Sequence, residues 1–164
     1  MNFGFTEEQE LLRAEVRKFL DENAPLEKVR SQCESEEGFD KKLWAKMSEL
    51  GFVGLTVSEE HGGAGLDLVT LLVLLEETGR SLFPSPLIST VIAAQAIQRF
   101  GNDEQRARWL PGLADGSCIG TMALLEQSDD LSPGGLHLQG KADGPDTILA
   151  GRKLFVPDAG KADL

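Results

Sequence analysis

The residues of this sequence that could do chemistry are few and scattered. A glycine-rich loop, Ser58-Glu59-Glu60-His61-Gly62-Gly63-Ala64-Gly65, precedes a helix start at Asp67. Glycines there would let backbone N–H groups approach an anion. No Lys-Ser/Thr follows as a P-loop demands, and no strand leads into a G-x-G-x-x-G, so the loop reads as a tight turn between helices. Glu59, Glu60, Glu76 and Glu77 are the carboxylates that could act as a general base. The sequence favours plainer roles: Glu76 and Arg80 stand four apart and pair on a helix surface, and Glu59 and Glu60 sit in a solvated loop. His61 and His137 each stand alone, and no serine or cysteine is placed to partner His61. Cys33 and Cys118 fall in different elements without a CxxC partner, so neither a zinc cluster nor a disulfide is suggested and reduced thiols are the default. The residue types thus assign no catalytic group and no metal ligand.

The elements that would have to position a site are helical over the first two-thirds of the chain. Thr6 and Gln9 form a capping box, followed by Leu11, Leu12, Val16, Phe19 and Leu20 on one face. Asn23-Ala24-Pro25 ends that helix. A short charged helix is expected over residues 26–33. Another, over 40–50, has Leu43, Trp44, Met47 and Leu50 as its buried stripe and Gly51 past its end. Asp67 opens a helix to Gly79 whose central turns are apolar nearly all round, the pattern of a helix buried inside a domain. Pro84 and Pro86 precede an apolar helix over 87–100. Asn102-Asp103 caps a last helix, which carries Trp109 and fades near residues 112–116. Trp44 and Trp109 are expected to fill the space between helices. Beyond Gly116 the period changes to that of strands, at 118–125, 136–139, 147–150 and 153–156, with Asp143-Gly144-Pro145-Asp146 as a turn. The expected fold is mostly α. A helical bundle of about six helices occupies residues 1–116, and the incomplete start of an antiparallel β domain occupies 117–164. Three or four strands with no closing partner leave an edge to be covered by another chain or segment.

Composition narrows the partners. The 164 residues are 41% hydrophobic and carry a net charge of −11, a field that repels nucleic-acid phosphates and anionic membranes. The longest apolar stretch, 68–75, is too short to span a bilayer. The N-terminus MNFGFTEEQE lacks a basic and an apolar region, so no signal peptide is expected and the cytoplasm is the expected location.

Three stretches resemble the acyl-CoA dehydrogenase family. They are the opening Phe5-Thr6-Glu7-Glu8-Gln9, the run LGFVGLTVSEEHGGAGLDLVTLLVLLEETGR from Leu50 to Arg80, and GNDEQRARWLPGLADGSCIGTMALLE from Gly101 to Glu126. The resemblance is colinear over essentially the whole chain. It implies an N-terminal helical domain leading into a middle β domain, and α,β-dehydrogenation of an acyl-CoA thioester. In that reaction a glutamate base takes the α proton and FAD takes the β hydrogen as hydride. The family's base lies late in its sequence, in a region with which nothing here aligns, so the chain alone is expected to be inactive. The resemblance also implies an oligomer with like or unlike dehydrogenase-like chains. It places Met122, Leu124, Leu125, Phe155, Val156 and Pro157 facing the flavin. The helices at 68–75 and 87–97 would contribute to the acyl-tail wall and to the core.

Those positions depart from the family pattern. Leu125-Glu126-Gln127 stands where Thr-Glu-Pro is usual, and Phe155-Val156-Pro157-Asp158 stands where an aromatic-Ile-Thr-Asn segment is common. Leu125 and Pro157 each replace a hydroxyl donor, and Pro157 has no N–H. Two unpaired acceptors at about 1–3 kcal/mol each would weaken flavin affinity about thirty-fold to ten-thousand-fold, unless Ser128 or Ser132 supplies the donors. Asp129 and Asp130 would be unhelpful beside a phosphate. An alternative reading is therefore a non-catalytic subunit, degenerate in its flavin site, that pairs with an active homologue. A structural helical module without a ligand is the third.

Overall fold

The computed structural model describes residues 4–128 and 130–164. Its helices start where the sequence provides a cap. In α1 (Glu7–Asn23) the Gln9 N–H donates to Thr6 Oγ1 at 3.2 Å and the Thr6 N–H donates to Gln9 Oε1 at 3.0 Å. Glu7, Glu8 and Glu10 add negative charge to the first turn, where the helix dipole favours it. Asp40 caps α3 (Lys41–Glu49), Asp67 caps α4 (Leu68–Arg80), and Asn102 with Gln105 forms a second capping box on α6 (Asp103–Ala114). The other two helices, α2 (Leu26–Cys33) and α5 (Leu87–Phe100), instead follow prolines 25 and 86, whose fixed φ suits a helix entrance.

Two clusters make the core. The larger joins Val16, Phe19 and Leu20 of α1 to Leu43, Trp44 and Met47 of α3, Leu71 and Leu74 of α4, and Leu87 of α5. The smaller packs Val57 and Ala94 against Leu110 and Leu113 of α6. Trp44 is buried, and its indole N–H donates to the Gly116 carbonyl at 2.9 Å, fixing the end of the helical region. The glycine-rich loop is a turn. The N–H groups of Gly63, Ala64, Gly65 and Leu66 all bond to carbonyls of residues 54–58, leaving none of these four to cradle an anion. Gly62 and Gly65 take φ of 84° and 63°, which favours glycine there.

Several expectations need correction. Leu11 and Leu50 are exposed, because each sits at the margin of its helix's buried stripe. Helix α4 is not enclosed: Leu71, Val73 and Leu74 are buried, whereas Leu68, Val69 and Leu72 face outward. Glu76 pairs with Arg13 instead of Arg80, and Arg80 reaches Glu77 and Asp21.

Beyond α6 the described residues contain one strand pair, β1 (Gly140–Asp143) antiparallel to β2 (Asp146–Leu149), closed by a turn at Gly144 and Pro145. Both strands are exposed along their length. Residues 118–125 are extended but unladdered. They pack against the helices instead, so closely that a Cβ on Gly120 would lie 2.6 Å from the Ala93 side chain. Residues 136–139 precede β1 outside the ladder, because the Glu126 carboxylate accepts the His137 and Leu138 N–H groups. Residues 153–156 make one main-chain bond to the extended segment, Leu154 N–H to Leu125 O at 2.8 Å, and Phe155 then turns into the left-handed region at φ 50°.

Candidate functional site

Helix α5 presents Ser89 and Ile92 to the two non-helical segments that follow α6, and a cavity of about 190 Å³ lies between them. Met122, Leu124 and Leu125 come from the first segment, and Phe155 and Pro157 from the second. Thr121 and Leu131 complete the lining. Five of the six residues singled out from the sequence thus share one wall system. Val156 is half-buried and does not line the cavity. Thr121 and Met122 also line a neighbouring apolar groove of about 380 Å³, which runs along α5 past Ala96 and Ile97 to Trp109 of α6.

The two segments are held in register by polar ties. The Lys153 ammonium donates to the Leu124 carbonyl at 3.1 Å and to Glu126 Oε1 at 2.7 Å. Glu126 also accepts the His137 and Leu138 N–H groups at 2.9 and 3.0 Å. The Lys153 bond, with these two behind it, holds the Glu126 carboxyl down at about 2. The Thr121 hydroxyl donates to the Pro157 carbonyl at 2.6 Å. The Ser89 hydroxyl, buried at the start of α5, meets the Pro86 carbonyl and the Asp158 carboxylate. Asp158, like Phe155, sits at positive φ (51°), so this turn is bent sharply onto the helix.

Ser128 and Ser132 do not reach the cavity: Ser128 donates to the Gly135 carbonyl and Ser132 to Asp130. Asp130 is committed to that local turn, and Asp129 lies outside the described residues. The carboxylates weighed as bases are also placed. Glu77 is buried between Arg17 and Arg80, and the Arg17 hydrogen bond, helped by Arg80, lowers its carboxyl to about 2 against the opposing effect of burial. A carboxylate so stabilised as an anion is a poor proton acceptor. His61 faces Glu60 at 3.4 Å in the loop. Both cysteines are free, and burial first, with Asp163 and Asp115 behind it, raises the Cys118 thiol. Among the described residues no group of three metal-binding side chains converges, and no helix is long and apolar enough to cross a membrane.

Sequence reasoning missed Ser89, Ile92, Thr121 and Leu131 as lining residues, and the Glu126–Lys153 tie. The opposite charges of Glu126 and Lys153 were the available signal for the tie. Ser89 and Ile92 are three apart on α5 and share a face, but nothing in an apolar helix marks which face meets a distant segment.

Residues 6–117 match the model of the acyl-CoA dehydrogenase N-terminal domain. The acyl-CoA dehydrogenase IpdE2 of Mycolicibacterium smegmatis is 42% identical over 118 residues, 71% of this chain and 37% of that protein. A variant of the Tcur3481-Tcur3483 steroid ACAD superposes with a TM-score of 0.85 at 39% identity, covering 95% of this chain and 43% of its own. An acyl-CoA dehydrogenase complexed with FAD from Bacillus anthracis gives 0.82 at 26% identity, covering 97% and 28%. This chain therefore spans well under half the length of these relatives. The family model covers more than half of the chain, the six-helix architecture is that of the family's helical domain, and the chain belongs to the acyl-CoA dehydrogenase family.

Proposed function

We propose that this chain is the N-terminal portion of an acyl-CoA dehydrogenase-like assembly that carries out α,β-dehydrogenation of acyl-CoA thioesters, with residues 1–116 as its helical domain and 117–164 as the start of its β domain. The observation that carries this reading is the convergence of Met122, Leu124, Leu125, Phe155 and Pro157 on one cavity against α5. The family's FAD supplies hydride acceptance. This chain supplies apolar wall, through Ile92, Met122 and Leu124, against which an apolar part of a ligand packs. Glu77 and Glu126 are tied as anions and are poor bases, so in this reading the α proton goes to a carboxylate of another segment or chain.

A second reading is a non-catalytic partner subunit with a degenerate flavin site. Leu125 and Pro157 favour it, because both line the cavity and neither side chain offers a donor.

The test is oxidation of a panel of acyl-CoA thioesters by the purified chain, alone and co-expressed with a neighbouring dehydrogenase-like gene product. Bleaching of ferrocenium as electron acceptor reports turnover. Turnover in the co-expressed assembly and none by the chain alone is expected. Absence of turnover in every assembly would overturn the proposal.

A further inference from the structure

On the reading of the cavity against α5 as the ligand site, we infer that the turn at residues 158–162 is a clasp. Through it the loop between α2 and α3 fixes the Phe155–Pro157 wall of the cavity, with Lys161 as the positioning residue.

The wall needs holding. Phe155 and Asp158 are non-glycine residues at φ 50° and 51°, a left-handed conformation that persists only where the surroundings enforce it. Packing does not enforce it at Phe155, which is 84% exposed. Polar ties take that part. Pro157 is tied by its carbonyl to the Thr121 hydroxyl at 2.6 Å, and three anchors converge on the turn that follows.

Within the turn, the Lys161 and Ala162 N–H groups both donate to the Asp158 carbonyl, at 2.8 and 3.0 Å, so residues 158–162 form one closed unit. Its first anchor is the Asp158 carboxylate on the buried Ser89 hydroxyl, in the first turn of α5. The second lies just past α6. There the Asp163 and Leu164 N–H groups donate to the Ile119 carbonyl at 2.7 and 3.3 Å, and the Thr121 N–H donates to the Leu164 carbonyl at 2.9 Å. The Ile119 N–H also donates to the Asp163 carboxylate, at 2.9 Å. Ser89 and Thr121 line the cavity, so these two anchors border it. The third reaches away from it, to a loop that contributes no lining residue. The Lys161 ammonium donates to the Glu36 carbonyl at 2.7 Å, with the Glu37 carboxylate at 3.7 Å. Glu37 is already paired with Lys41 at 3.1 Å, so the Glu36 carbonyl is the specific part of this contact. A bond from a charged donor is among the stronger single ties available to a turn. A contiguous polar chain thus runs from Glu36 through Lys161 and Asp158 to Ser89 at the cavity.

Methyl NMR and amide exchange on the full chain test this. Met122 lines the cavity and reports on the wall, while Met47, fully buried in the larger core cluster, reports on the fold. Lys161→Leu should speed exchange at the Thr121 and Asp163 amides at least about tenfold, the worth of one charge-assisted hydrogen bond, and shift the Met122 methyl. Lys161→Arg, which keeps a cationic donor, should restore both. Gly38→Ala perturbs the loop by itself, because its φ of 70° disfavours a side chain while the added Cβ meets nothing within 4 Å. It should move the Met122 methyl when Lys161 is present and leave it in place in the Lys161→Leu background. That non-additivity is not produced by a separate structural role. Unchanged Thr121 exchange in Lys161→Leu overturns the inference. So does a Met47 shift alongside that of Met122, which marks general loosening, or a Gly38→Ala effect that is absent or the same in both backgrounds. None of these readouts involves acyl-CoA, so a failed clasp and a failed dehydrogenase reading are told apart.

Discussion

Replacing Glu77 by glutamine should loosen the clamp between α1 and α4, and the structure sets the size of the effect. The carboxylate is 3% exposed. It takes two hydrogen bonds from the Arg17 guanidinium, at 2.6 and 2.9 Å, and one from Arg80 at 2.8 Å. Arg80 continues to Asp21 of α1 at 2.7 Å. A carboxyl lowered from 4.5 to about 2 corresponds to about 3 kcal/mol of stabilisation at neutral pH. Both arginines are about half exposed, at 50% and 42%, so solvent screening trims this to about 1.5–3 kcal/mol. Because the folded carboxyl is the stronger acid, the contribution is complete above pH 4.5 and disappears as pH falls through about 2. Thermal melts at pH 7 should show Glu77→Gln lowered by about 3–10 °C. The gap to the unaltered chain should close on titration from pH 5 to pH 2. An unchanged melting temperature at pH 7, or a deficit that persists at pH 2, refutes the reasoning.

Other perturbations probe the cavity and its supports. Gly120→Ala places a methyl 2.6 Å from the Ala93 side chain and 2.9 Å from Leu113. It should cost about 1–3 kcal/mol by overpacking, read from urea midpoints at constant m. Lys153→Met removes the tie to Leu124 and Glu126. It should speed hydrogen exchange at the Leu154 amide, bonded to Leu125, while leaving the α4 amides unchanged. Of the two thiols, Cys33 is exposed and Cys118 is half-buried with a raised pKa. Ellman's reagent at pH 8 should therefore modify one cysteine quickly, and Cys118 only slowly until denaturant is added.

The helices were legible because their signals are local. Thr6 with Gln9, Asp40, Asp67, and Asn102 with Gln105 all cap where their chemistry predicts. The faces were less so. In α4 every central position is apolar, and only packing decides that Leu74 is buried while Leu72 is not. Glu77 falls three residues after Leu74 and so continues the buried row, a signal outweighed by the attractive Glu76–Arg80 spacing. Of the expected strands, 147–150 came out as β2 after the expected turn, whereas 118–125 did not pair, because an apolar run satisfies a helix surface as well as a sheet and periodicity does not distinguish them. At the cavity, the residues marked by resemblance came together except Val156. The ties between segments far apart in sequence, Glu126 with Lys153 and Ser89 with Asp158, depend on a close approach that local pattern does not encode.

We propose that this chain forms the helical domain of an acyl-CoA dehydrogenase-type assembly whose turnover depends on a further segment or chain. The most direct measurement is the visible absorption spectrum of the chain purified alone and of the chain purified with a co-expressed dehydrogenase-like partner, each before and after anaerobic addition of acyl-CoA. The account predicts a colourless chain alone, and a flavin band in the assembly that bleaches on addition of substrate. A yellow chain that bleaches with acyl-CoA on its own would contradict it.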